Sequence, residues 1–121
     1  MATTDKKGYK NLIVWEKSMI LVVEIYDLIR FLPNEERFNL SSQISRCAIS
    51  IPSNIAEGYR RFSDKSFKNF LMISFGSGAE LETQIEIIKR LKMASNYDFS
   101  KIDFLLEEIM KMLNVLIKKK S

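Results

Sequence analysis

Apolar residues return every three or four positions along almost the whole chain, and no stretch alternates with the period of two that a half-buried strand requires. Four helices are the expectation. In the first, Leu12, Trp15, Met19, Val22, Tyr26 and Ile29 fall on one side and form its seam. Pro33 closes that helix, because proline lacks an N–H and drives the preceding Leu32 out of the α region. The second helix opens near Asn39, a plausible cap, and carries Ile44, Cys47, Ala48, Ile51 and Ile55 on its inner side. Pro52 lies inside it. The apolar stripe continues past the proline, so a kink is expected rather than a break.

Ser63 reads as the cap of a third helix running from about Asp64 to Ala94, with Phe67, Leu71, Ser74, Gly78, Leu81, Ile85 and Ile88 inward. Gly76 and Gly78 sit in its middle beside Ser74 and Ser77. A mid-helix glycine costs about 1 kcal/mol against alanine, so this stretch is expected to let the backbone approach another helix closely. Asn96–Asp98 makes a turn, Ser100 caps the fourth helix, and Ile102, Leu105, Ile109, Met112 and Leu116 give its seam. Short connections place neighbouring helices antiparallel, so the fold class is an all-α, up-down-up-down four-helix bundle. It spans residues 10–118, between a flexible basic arm at 1–9 and a fraying basic tail at 119–121.

The first and fourth helices carry more apolar surface than one seam uses. Ile13, Ile20, Val23 and Leu28 lie off the first seam, and Leu106, Met110, Leu113 and Ile117 off the last. Either the core is wide or copies of the chain meet on these faces.

Composition removes most chemistry. The 121 residues include no histidine and one cysteine, Cys47. A Ser-His-Asp or Cys-His pair cannot be built, nor can a zinc site or an intramolecular disulfide. Cys47 falls on an apolar stripe and reads as an inert core thiol. The acids Glu80, Glu82, Glu86, Glu107 and Glu108 lack the Glu-x-x-His partners of a di-metal bundle and read instead as surface partners of Lys89, Arg90 and Lys111. Gly76-Ser77-Gly78 is no phosphate loop, since Leu81 stands where a third glycine would be and no Gly-Lys-Ser/Thr follows. No catalytic residue, metal or cofactor is expected. The stretch from Leu12 to Val23 is too short and too charged to span a bilayer, and nothing resembles a targeting signal, which suggests a cytoplasmic protein with no membrane partner.

Charge is more informative. Lys and Arg total 19 against 15 Asp and Glu, a formal +4. The excess is uneven: Arg60, Arg61, Lys65 and Lys68 surround the junction of the second and third helices, with Tyr59 and Phe62 among them, and Lys6, Lys7 and Lys10 crowd the amino-terminal arm. Such a cluster suits a nucleic-acid backbone and its bases, and it also suits plain solubility. Gln43, Arg46, Ser50, Asn54 and Glu57 form a polar line along the second helix, either a wet face or a hydrogen-bonded seam within or between chains.

Four segments carry a resemblance. Asn11-Leu12-Ile13-Val14-Trp15 resembles an N-L-x-V-W signature, and Phe31-Leu32-Pro33-Asn34-Glu35-Glu36-Arg37-Phe38 a proline-centred F-P-x-E-E-R-F turn. The run from Leu40 to Gly58 is similar to L-x-x-Q-x-x-R-A-x-x-S-I-P-S-N-I-A-E-G, with Cys47 in place of the usual alanine, and Gly76–Gln84 resembles G-S-x-x-E-L-E-T-Q. These motifs belong to the four-helix-bundle proteins encoded in intervening sequences of 23S ribosomal RNA genes. The resemblance implies a homopentameric ring and kinship with the accessory variability protein of diversity-generating retroelements, a basic pentamer that binds nucleic acid and a reverse transcriptase. The expected function is therefore a non-enzymatic oligomer that binds structured RNA or DNA through basic surface. The alternative is an adaptor for a reverse transcriptase or ribosome-associated factor, docked by the leftover apolar stripes and Tyr59.

Overall fold

The computed structural model describes residues 8–120 and is all-α, with no strand among those residues. Four helices follow in order: α1 (Ile13–Ile29), α2 (Leu40–Tyr59), α3 (Asp64–Leu91) and α4 (Ser100–Lys119). Short 3-10 turns at Gly8–Asn11 and Asn34–Glu36 precede α1 and α2. α1 packs on α2 and α4, α3 packs on the same two helices, and the diagonal pairs stay apart. One core lies between them, built from buried aliphatic side chains of all four.

The inner face of α1 is not the expected one. Val14, Ser18, Leu21, Ile25 and Leu28 are buried, whereas Met19 and Tyr26 are exposed and Leu12, Trp15, Val22 and Ile29 only flank the core. Both lines of residues step by three and four, and the true one is disguised by a serine. Ser18 tolerates full burial because its hydroxyl donates to the Trp15 carbonyl at 2.8 Å. Ile13, Ile20 and Val23 remain exposed. On α4 the wide-core expectation holds instead: Leu106 and Leu113 are buried with Ile102, Leu105 and Ile109, while Met112 and Leu116 are half-buried. A straight helix drifts by about 20° per heptad relative to a 3.5-residue seam, which carries the contact line from Ile109 to Leu113.

The stripe expected on α2 is buried in full, Pro52 included. Ser63 caps α3 as expected, accepting from the Ser66 amide at 3.1 Å. That helix stops at Leu91, short of Ala94, because Lys92 turns left-handed (φ 56°) and the Met93 amide closes back on the Ile88 carbonyl at 3.3 Å. Ser100 does not cap α4. It is the first helical residue, and its amide donates to Asp98 Oδ1 at 3.0 Å. Lys120, just past α4, is half-buried and its ammonium donates to Asp64 Oδ1 at 3.3 Å.

Candidate nucleic-acid interface

The basic cluster is organised by one tight joint. Gly58, near the end of α2, lies directly against α3: a Cβ placed there would stand 2.6 Å from Phe70 Cβ and 3.0 Å from Phe67 Cδ1. Only glycine lets the two helices approach this closely. The chain then reverses through residues 60–63, with the Arg61 amide bonded to the Gly58 carbonyl at 3.1 Å, and Arg60, Arg61 and Phe62 all end up exposed.

Side chains from remote parts of the sequence complete this end. The Arg60 guanidinium lies 5.2 Å above the Tyr9 ring, and Tyr9 meets Trp15 edge-on at 5.3 Å. Arg61 lies 4.8 Å above Phe70 and pairs with Glu57 at 2.9 Å. From the residue that follows α4, Lys120 reaches Asp64 Oδ1 at 3.3 Å and sits 5.2 Å above Phe67. The neighbouring Lys118 and Lys119, like Lys10 and Lys65, are exposed, and Lys68 is half-buried. Guanidinium and ammonium groups over aromatic faces gain a modest attraction and a fixed position. Lys6 and Lys7 lie outside the described residues.

The sequence places Arg60, Arg61, Lys65 and Lys68 together because they are close in the chain. It does not reveal Tyr9, Phe67 and Phe70 as their aromatic bed, or Lys120 as a neighbour. Tyr59 is not the free docking residue expected, since it is half-buried and packs edge-on against Phe67 at 5.9 Å.

The polar line on α2 divides. Ser50 and Asn54 are part of a seam to α3: the Ser50 and Ser77 hydroxyls bond at 2.8 Å, and Asn54 Nδ2 donates to the Ser50 carbonyl and hydroxyl at 2.8 and 3.0 Å. Gln43, Arg46 and Glu57 are exposed with local partners only, Asn39, Ser42 and Arg61. Cys47 Sγ donates to the Ser77 carbonyl at 3.1 Å, and burial, with Glu80 nearby, pushes its pKa up to about 12. Ser74 Oγ donates to the Ile51 carbonyl at 2.9 Å.

The two mid-helix glycines also differ. Gly78 faces the Met110 thioether of α4, which leaves no room for a Cβ. Gly76 is exposed and a Cβ there would meet nothing among the described residues, so the close approach expected of it is not made within the bundle.

Glu86–Arg90 and Glu107–Lys111 pair at 3.0 and 3.5 Å, while Lys89 crosses to Asp103 at 2.8 Å rather than to an acid of its own helix. Among the described residues no cluster of three His, Cys, Asp or Glu side chains could hold a metal, and no helix is long and apolar enough to cross a membrane.

No curated protein matches the sequence. Among solved structures, a protein of unknown function from the S23 ribosomal protein family of Bacteroides thetaiotaomicron is similar in fold, with a TM-score of 0.79 and 34% identity. The alignment covers 88% of this chain and 96% of that one. The family described as 23S rRNA-intervening sequence protein matches residues 10–115. With its four motifs, its four helices and a match over nearly the whole bundle, the chain belongs to the 23S rRNA-intervening sequence protein family.

Proposed function

We propose that this protein is a non-enzymatic, oligomeric bundle of the cytoplasm that binds structured nucleic acid, RNA foremost, through the basic end described above. The observation that carries the reading is convergence. Lys10, the Arg60–Lys68 cluster and the end of α4 are far apart in sequence, yet Arg60 touches Tyr9 and Lys120 touches Asp64, so their cations share one end of the bundle. A concentrated positive end attracts a polyanion more strongly than the same charges dispersed.

The helices run antiparallel, up-down-up-down. Supporting this, Lys17 pairs with Glu108 while Glu24 pairs with Lys101, and Ser50 meets Ser77 while Gly58 meets Phe67 and Phe70. Copies assemble as a pentameric ring. Ile13, Ile20 and Val23 of α1 and Phe104 and Val115 of α4 supply exposed apolar surface for that purpose. Absent histidine and a single thiol held protonated support a role without catalysis.

The test is chromatography with light scattering at low and high salt, read at two absorbance wavelengths, followed by RNA titrations. Binding should weaken with a log-log salt slope of about −0.7 per neutralised phosphate on single strands. A monomer, an affinity indifferent to salt, or one unchanged by joint Arg60→Ala and Arg61→Ala replacement contradicts the proposal.

One observation favours a second reading, an adaptor for a reverse transcriptase or ribosome-associated protein. An apolar groove of about 510 Å³ opens between the start of α1 and the end of α4, lined by Leu12, Ile13, Val14, Met112, Val115 and Leu116. Retention of one defined protein from nuclease-treated lysate, without nucleic acid, supports that reading over the first.

A further inference from the structure

We infer that Phe62 is a stacking platform for an unpaired base, so that the ligand of the basic end is RNA presenting single-stranded loops rather than a continuous duplex. The inference rests on the nucleic-acid reading above and narrows its substrate class.

Four other aromatic rings at this end already have partners. Tyr9 lies beneath Arg60, Phe70 beneath Arg61, Phe67 beneath Lys120, and Tyr59 is edge-on to Phe67. Phe62 alone is fully exposed, and among the described residues no ring or cation covers it. A phenylalanine so placed contributes nothing to the core, and its apolar face is left open by the described residues.

Charge selects what that is. Phe62 follows Arg60 and Arg61 directly and precedes Lys65 by three residues, all exposed, with Asp64 the one acid among them and held by Lys120. The second highly exposed ring, Phe38, provides a contrast. Its face is covered by the Arg37 guanidinium at 5.2 Å, and its turn carries Glu35 and Glu36, which repel phosphate. Of the two most exposed rings among the described residues, Phe62 is the one with an open π-face and mostly cationic chain neighbours, the combination that single-strand binders use: cations follow the backbone while rings take the bases.

Geometry then decides between strand states. The ring sits at the tip of a helix reversal, held by the Gly58 joint and the Ser63 cap. The backbone that carries it is therefore placed before binding, which leaves only the ring's own rotamer to be ordered. In an A-form duplex the base faces are sealed in the stack and the major groove is too narrow for a helix end, so a single ring can reach only a base that has left the stack.

The experiment compares a fluorescein-labelled single-stranded RNA with a blunt RNA duplex of equal length, using the intact protein. Phe62→Ala should weaken the single strand about tenfold or more and leave the duplex nearly unchanged. Phe62→Leu, which keeps apolar area but has no π-face, should behave like the alanine variant. Phe62→Trp should retain affinity and show fluorescence quenching on binding. Equal loss on both probes, full activity of Phe62→Leu, or no loss in any variant overturns the stacking role while leaving a salt-dependent nucleic-acid binder intact. A lower assembly mass for Phe62→Ala also overturns it, by assigning the ring to a contact between copies. If neither probe binds in a salt-dependent way, the nucleic-acid reading itself fails and this inference falls with it.

Discussion

Alanine placed at three glycines of this chain should give different signs, and the case of Gly58 is the most demanding. Its new methyl group would meet Phe70 Cβ at 2.6 Å and Phe67 Cδ1 at 3.0 Å, with the Phe67 carbonyl oxygen at 3.3 Å. Carbon atoms in good contact are about 3.5–4.0 Å apart, so α2 and α3 must separate locally by roughly 1 Å. Phe70 Cβ is fixed to the α3 backbone and cannot swing aside. Such overpacking costs about 1–3 kcal/mol, and a gap of that size forfeits up to about half the dispersion attraction of each neighbouring pair. Against this stands the better helix propensity of alanine, about 1 kcal/mol. The net expectation for Gly58→Ala is a loss of up to roughly 2 kcal/mol.

Gly76 is the internal control, since nothing lies within 4 Å of a Cβ there. Gly76→Ala should gain about 0.5–1 kcal/mol from propensity and the unfolded state. Gly78→Ala should fall between them, because the atom in its way is the mobile end of Met110. Urea unfolding followed by circular dichroism reads all three as midpoint shifts at constant slope. A Gly58→Ala protein more stable than the parent, as Gly76→Ala should be, would refute the close joint, and with it the geometry assigned to the basic end. A Gly76→Ala protein that loses both stability and assembly mass would place Gly76 at a contact between copies.

Other expectations follow from single interactions. Ser74→Ala removes a fully buried hydrogen bond to the Ile51 carbonyl and should cost about 1 kcal/mol in the same urea assay. Lys17 Nζ meets Glu108 Oε1 at 2.9 Å with both side chains less than one-third exposed (28% and 30%). Lys17→Met should cost about 1–3 kcal/mol by stranding a shielded carboxylate oxygen, and adding Glu108→Gln should return part of it. Native Cys47 should react slowly with a disulfide reagent at neutral pH and rapidly in urea, because burial keeps the thiol protonated. The same shift has a sign in stability. The unfolded thiol loses its proton near 9 and the folded one near 12, so its contribution is whole below pH 9 and declines as pH rises toward 12. Tyr97, raised from 10 to about 12 mainly by burial, acts in the same direction. Cys47→Ala should therefore flatten the alkaline stability profile from its lower edge.

The helices were legible because their signals are local: a proline after α1, a serine cap before α3, a period of three and four throughout. The rotation of α1 was not. Two apolar lines compete on that helix, and residue size favoured the line containing Trp15 and Tyr26. What decides is packing between two neighbours, α2 and α4, which admits slim Val14, Ser18 and Leu21 and leaves large rings at the flank. The glycines followed the same rule. Spacing alone marked Gly76 and Gly78 as equals, whereas their difference of two positions turns one toward α4 and the other outward. Gly58, the one glycine pressed against a Cβ that cannot swing aside, looked like a helix-end residue because the partner that makes it necessary lies on the next helix.

The candidate interface shows the same division between local and remote information, with a functional consequence. Arg60 to Lys68 can be read as a cluster from adjacency, but not which of these charges are held in place. The structure separates two kinds. Arg60, Arg61 and Lys120 lie over rings contributed by Tyr9, Phe70 and Phe67, so their charges have fixed positions relative to the bundle. Lys65, Lys118 and Lys119 are exposed on flexible stems. Fixed charges can set the orientation of a bound backbone, because moving them means breaking a stack. Flexible ones mainly add to counterion release and hence to the salt slope. Phe62 stands among the fixed set, on the reversal that Gly58 makes possible. On the proposed nucleic-acid reading, the geometry of a bound backbone at this end is therefore tied to the packing of α2 on α3, and not to net charge alone.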